Sequence, residues 1–150
     1  MQQVNIYIEH QFTGNFGAGV GKFSVVLELE TEKGTVTREH YKGYRGTTKN
    51  RLAILACIEA LSHFTKACET IIHIDSPYME VSSRWLERWI REGLEERKNG
   101  DLWEKYYRLS SKHLVTIKNE KRNTYSPAMR MQLETKEMLM LEDYQPGNEI

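Results

Sequence analysis

The sequence predicts a single α/β domain. Three observations carry this: three runs of alternating apolar and polar residues follow one another from the N-terminus, a long amphipathic helical stretch comes next, and short apolar strands then alternate with helix starts. The 150 residues suffice for one hydrophobic core and are too few for two ordinary domains. Hydrophobic residues make up 39% and charged residues 28%, a globular composition and not a disordered one. Lys+Arg and Asp+Glu both number 21, so the chain has no basic excess for gripping phosphates as a whole. Any nucleic-acid binding must use a local patch and be modest in strength.

Val4 to Ile8 alternates apolar and polar side chains and ends in a Gly-rich stretch from Gly14 to Gly21, predicting a strand and a turn. Lys22 to Glu30 places Phe23, Val25, Leu27 and Leu29 at period two. Glu32-Lys33-Gly34 then turns the chain into a second alternating run, Thr35 to Tyr44. The three strands are expected to form an antiparallel meander. From Thr48 to Lys66, Leu52, Leu55, Ala56, Cys57, Ile58, Leu61 and Phe64 recur at helical spacing, one buried stripe. Thr70 to Ile74 is a short apolar strand, and Asp75-Ser76-Pro77 after it offers a cap and a first helical proline. The next helix runs from Tyr78 to Leu94. Asp101-Leu102-Trp103-Glu104 has the Asp-x-x-Glu form of a variant capping box and opens another helix through Leu109. His113 to Lys118 alternates as a fifth strand. Ser126-Pro127 opens a last helix, Ala128 to Leu141, leaving residues 142–150 as a flexible C-terminal tail beyond a domain of residues 1–141.

Cys57 and Cys68 belong to no CxxC or Cys/His ligand spacing and are expected to be core thiols. The five histidines, at positions 10, 40, 63, 73 and 113, show no ligand spacing either. No apolar stretch approaches the roughly 20 residues that span a bilayer, and Met1-Gln2-Gln3 opens no signal-peptide pattern. A cytoplasmic location with no membrane partner is the expectation.

Several strings, in this order, resemble the bacterial type of ribonuclease H from Val4 to about Gln132. Glu9-His10-Gln11 and Gly14-Asn15-Phe16-Gly17 stand where that family has Asp-Gly-Ser and a Gly-Asn-Pro-Gly turn. Thr47-Thr48-Lys49-Asn50-Arg51-Leu52-Ala53 is similar to its Thr-Thr-Asn-Asn-Arg-Met-Glu helix start, and Ile74-Asp75-Ser76-Pro77-Tyr78 to its Thr-Asp-Ser-x-Tyr string. Trp85, Trp89 and Asp101-Leu102-Trp103 resemble its Trp-x-x-x-Trp pair and Asp-Leu-Trp string. None of these strings is specific alone; their shared order is. The resemblance implies a ribonuclease H-like fold: a mixed five-stranded sheet, three antiparallel strands followed by two parallel to the first, with helices on both faces.

Members of that family cleave the RNA strand of an RNA–DNA hybrid by in-line attack of water, using two divalent ions held by four acidic positions. Each ion demands hard oxygen ligands and charge balance. The resemblance puts those positions at Glu9, Ala53, Asp75 and, if the Ser126-Pro127 start aligns with the family's last helix, Arg130. Glu9 is one methylene longer than the usual Asp. Ala53 removes a ligand. Arg130 introduces a cation that would pair with Asp75 or Glu9 sooner than tolerate a metal. Glu59, six residues past Ala53, lies roughly 600° around the helix and about 9 Å along it, so it does not substitute. Glu134 and Glu137 approach only in another register of the last helix, and the preceding loop holds Glu120 where the family has a mobile His. Asp75 has a plain alternative as a helix cap, Glu9 as a solvated or ion-paired acid, and Trp85, Trp89 and Trp103 as core residues.

The resemblance also marks a nucleic-acid surface: Thr48 at a phosphate-pocket position, Asn15 and Asn50 at positions whose amides read the hybrid's minor groove, and Lys49 replacing another such Asn. Glu92, Glu95 and Glu96 dilute Arg91, Arg97 and Lys98 in a shortened basic protrusion, so hybrid affinity is expected to be weak and salt-sensitive. The expected function is a ribonuclease H-like pseudoenzyme that binds nucleic acid or a protein and needs no cofactor, with Glu9 and Asp75 as remnant catalytic positions and weak metal ligands at best. The alternative is an active or weakly active hybrid endonuclease using Mg2+ or Mn2+ at rearranged carboxylates. A third reading is an interaction module of a mobile-element or phage system.

Overall fold

Local chemistry places the element ends in the computed structural model, which describes residues 1–14 and 18–143. The alternating runs form β1 (Gln2–Thr13), β2 (Gly19–Thr31) and β3 (Gly34–Thr47), each longer than the periodicity alone indicates. A tight turn joins β2 to β3 at the pair Thr31–Gly34. Gly34 takes a φ of 115°, where a side chain would be strained, and the Thr31 hydroxyl donates to its carbonyl at 2.7 Å. Helix α1 (Lys49–Ser62) starts at Thr48, whose Oγ1 accepts the Arg51 backbone N–H at 3.1 Å. After β4 (Cys68–Ile74), helix α2 (Pro77–Glu92) is capped by Ser76, whose Oγ accepts from Met79 N at 3.1 Å, with Pro77 in the first turn. Then come α3 (Gly100–Ser110), β5 (Leu114–Asn119), α4 (Ser126–Thr135) and β6 (Met140–Glu142).

The sheet order is β5-β4-β1-β2-β3-β6. β1, β2 and β3 are antiparallel neighbours, and β4 and β5 run parallel to β1, which is the predicted ribonuclease H-like arrangement. One strand corrects the expectation: among the described residues the sheet has six strands, not five. The last helix ends at Thr135 instead of Leu141, and Met140, Leu141 and Glu142 pair in parallel with Gly43, Tyr44 and Arg45. Long-range contact overrides the helix-forming composition of Lys136 to Leu141. Gly43 makes the space, since a Cβ there would lie 2.2 Å from the Met140 sulfur. The boundary expected at 141 therefore falls inside a strand.

The period of two on β1 and β2 divides the core. Val4, Ile6, Ile8, Phe23, Val25 and Leu27 pack with α1, α2 and α3 on one face; Tyr7 and Val26 pack with Met129 of α4 on the other. Cys57 and Cys68 are buried free thiols. Trp103 is fully buried, its Nε1 donating to the Tyr78 hydroxyl at 3.0 Å, and Trp89 packs edge-on against it. Trp85 is a correction, because it is 47% exposed and stacks only with Arg88. Leu86, the next residue, takes the inward position about 100° further round α2. Among the described residues, no helix is long and apolar enough to cross a membrane.

Candidate functional site

The parallel pairing of β1 with β4 ends at Tyr7 and His73, so Glu9 and Asp75 each stand two residues beyond it at the same end of the sheet. His10 ties the two strand ends together: its Nε2 lies 3.2 Å from the Asp75 carbonyl oxygen and, in the neutral tautomer, donates to it. Burial pushes the His10 pKa down, partly offset by that bond to Asp75.

Odd-numbered residues of β1 face α4, and Glu9 is only 8% exposed. Arg130 of α4 donates from Nε to Glu9 Oε1 at 2.9 Å and from Nη2 to the Lys121 carbonyl at 2.9 Å. Of the two pairings open to Arg130, the structure forms the one with Glu9. Asp75 is exposed and does not cap α2; the Ser76 side chain does. Ala53 is 1% exposed on the inner side of α1 and supplies no ligand.

The other acids the sequence offered are paired elsewhere or exposed to solvent. Glu59 accepts from Lys42 Nζ at 2.9 Å, Glu120 lies 2.6 Å from His73 Nδ1, and Glu134 and Glu137 are exposed on or beyond α4. Among the described residues, no group of three or more His, Cys, Asp or Glu side chains could hold a metal ion. Two divalent ions bring four positive charges; the two acids gathered here are Glu9, already neutralised by Arg130, and Asp75. The residues present do not fit a two-metal centre.

Thr48, Lys49 and Asn50 share the first turn of α1, with Lys49 exposed and near enough to His10 to oppose its protonation. The Thr48 oxygen is occupied as a cap, which leaves its O–H to donate. Asn15 lies outside the described residues.

Below this surface is a network that sequence reasoning missed. Arg51 binds Asp101 through Nη1 and Nη2 at 2.9 and 2.8 Å, and Asp143 through Nε and Nη2 at 2.7 and 3.0 Å. Asp101 therefore serves Arg51 and not a capping box; α3 has no side-chain cap. The only signal was Arg51 and Asp101 standing in two of the resembling strings.

A family model described as RNase H matches residues 1–121. The chain belongs to the ribonuclease H family. It is 36% identical over 123 residues to the ribonuclease H of Syntrophus aciditrophicus, covering 77% of this chain and 68% of that protein. It is 33% identical over 121 residues to that of Herminiimonas arsenicoxydans, covering 77% and 79%. The crystal structure of LC9-RNase H1, described as a type 1 RNase H with the type 2 active-site motif, superposes with a TM-score of 0.72 at 22% identity, covering 87% of this chain and 69% of that one. That likeness is one of fold. The ribonuclease H match ends before α4, so Arg130 is located by the contact it makes with Glu9 and not by the family model.

Proposed function

We propose that this ribonuclease H-family domain binds RNA–DNA hybrid and does not cleave it by two-metal chemistry. The observation that carries the reading is the Arg130–Glu9 ion pair, which puts a fixed cation on a carboxylate that a metal would need, and Ala53 on α1 offers no ligand. Thr48, Lys49 and Asn50 would supply the grip: a hydroxyl donor and an ammonium to backbone phosphates, an amide to sugar and base edges. So few contacts on a chain of zero net charge imply weak affinity that falls with salt, with a log–log slope of about −2 to −3. A protein partner on the same fold is part of this proposal, without a residue assigned to it.

A second reading is weak hybrid cleavage with Mg2+ or Mn2+, and the comparisons favour it: relatives at 36% and 33% identity carry the name ribonuclease H. In that reading Asp75 would have to recruit Glu59 or Glu120 from their present partners, or Glu134 or Glu137 from exposed positions on or beyond α4. A labelled hybrid incubated with the full chain and either metal separates the two. Binding without strand scission is expected. Scission lost in Asp75→Asn and retained in a surface control such as Glu104→Gln would establish the second reading.

A further inference from the structure

We infer that Arg130 is a fixed receptor for a nucleic-acid phosphodiester, its Nη1 edge taking the phosphate oxygens with no metal ion between. The inference rests on the hybrid-binding proposal and assigns the residue that meets the backbone at the end of the sheet.

The geometry is that of an anchored guanidinium with one edge left over. Nε is held by Glu9 and Nη2 by the Lys121 carbonyl, both at 2.9 Å, so the plane of the group is set. Among the described residues Nη1 has no hydrogen-bond partner, and 40% of the side chain is exposed. An arginine recruited only to neutralise Glu9 would be expected to grip it with two parallel N–H bonds. Here a single N–H from Nε does that, on a carboxylate only 10% exposed, and the terminal nitrogens are turned elsewhere.

The surroundings add charge of the right sign. Lys121 lies in backbone contact with Arg130, and Lys49 acts on His10, which is bonded to Asp75. Lys49 and Lys121 thus accompany Arg130 near Glu9 and Asp75, and Glu120 at the neighbouring strand end is paired with His73 and Lys118. The two N–H groups of Nη1, on a guanidinium plane already fixed, suit the oxygens of an oxyanion such as a phosphodiester.

The test is hybrid binding by fluorescence anisotropy with the full chain, in chelator and again in magnesium. Wild type is expected to bind in chelator and no more tightly in magnesium. Arg130→Gln is expected to weaken binding roughly 10-fold at low salt and to flatten the log–log salt slope by about 1. Because that variant also unmasks the Glu9 charge, the double variant E9Q/R130Q is the decisive one: it keeps the local net charge and is expected to stay weak. Arg130→Lys keeps a cation for Glu9, and so the fold, but cannot hold both carboxylate and phosphate; it too is expected to lose affinity. Wild-type affinity in E9Q/R130Q or in Arg130→Lys would overturn the inference while leaving the hybrid-binding proposal standing. No wild-type binding in either buffer would overturn both. Competition by micromolar inorganic phosphate would assign the site to free phosphate and also overturn it.

Discussion

Arg51 and Arg130 both hold carboxylates, and burial separates what each contributes. The Arg51 side chain is 4% exposed and that of Asp143 2%, so this charge cluster is out of water. Burial opposes the Arg51 charge, but its hydrogen bonds to Asp101 and Asp143 outweigh it and raise its pKa; burial likewise opposes ionisation of Asp101, yet Arg51 holds its carboxyl below the usual value. Removing the cation would strand the buried Asp143 carboxylate and leave the partly buried Asp101 unpaired. Arg51→Met is therefore expected to cost about 3–5 kcal/mol in urea unfolding, the range for breaking a buried pair. Arg130 is partly in solvent, and Arg130→Gln should cost only about 1–2 kcal/mol, between an exposed pair and a stranded buried acid. Equal losses for the two variants would contradict the separation of a structural arginine from a binding one.

Among the elements, β6 depends on a single glycine. Gly43 donates its N–H to the Leu139 carbonyl at 2.9 Å and leaves room for Met140, while Asp143 N donates to the Arg45 carbonyl at 2.9 Å. Gly43→Val is expected to displace β6, lower the melting temperature by several degrees and remove hydrogen-exchange protection at the Gly43 and Asp143 amides. Unchanged protection would mean that β6 docks without that space. The same element marks where sequence reading stops. Runs such as Phe23-Val25-Leu27-Leu29, and starts such as Thr48 and Ser76-Pro77, were legible because period and capping are local properties. Met140 to Glu142 was not, since three residues carry no period and their pairing is chosen by a glycine far along the chain. Trp85 sits on the right helix but one position off its buried face, and Asp101 was diverted from capping by Arg51. At the site, the residues at 9, 53, 75 and 130 could be named from the resemblance. The contact joining Glu9 to Arg130 spans 121 residues and needed the fold.

At the scale of the molecule, balanced charge leaves pH to act through histidines that are wholly or partly buried. Burial lowers the pKa of His10, His40 and His113 from the ordinary 6.5; at His113 the Nδ1 lone pair also accepts the Cys68 N–H at 3.0 Å, a bond that protonation would break. The folded state then binds fewer protons than the unfolded chain below that value. Stability from these groups is fully present above about pH 6.5 and falls as pH drops through the lowered folded values. The urea midpoint should be flat between about pH 7 and 8 and decline toward about pH 5.5; a rise on acidification would contradict the assignment. The fold is thus pH-sensitive in an ordinary way, while among the described residues Arg130 pairs with Glu9 and no group of three or more His, Cys, Asp or Glu could hold a metal ion, which supports the proposed absence of two-metal chemistry. The most direct test is a calorimetric titration of magnesium and of manganese into the protein, with Asp75→Asn alongside. No saturable heat with either metal is expected; a saturable binding heat that Asp75→Asn abolishes would contradict the proposed absence of two-metal chemistry and favour the nuclease reading.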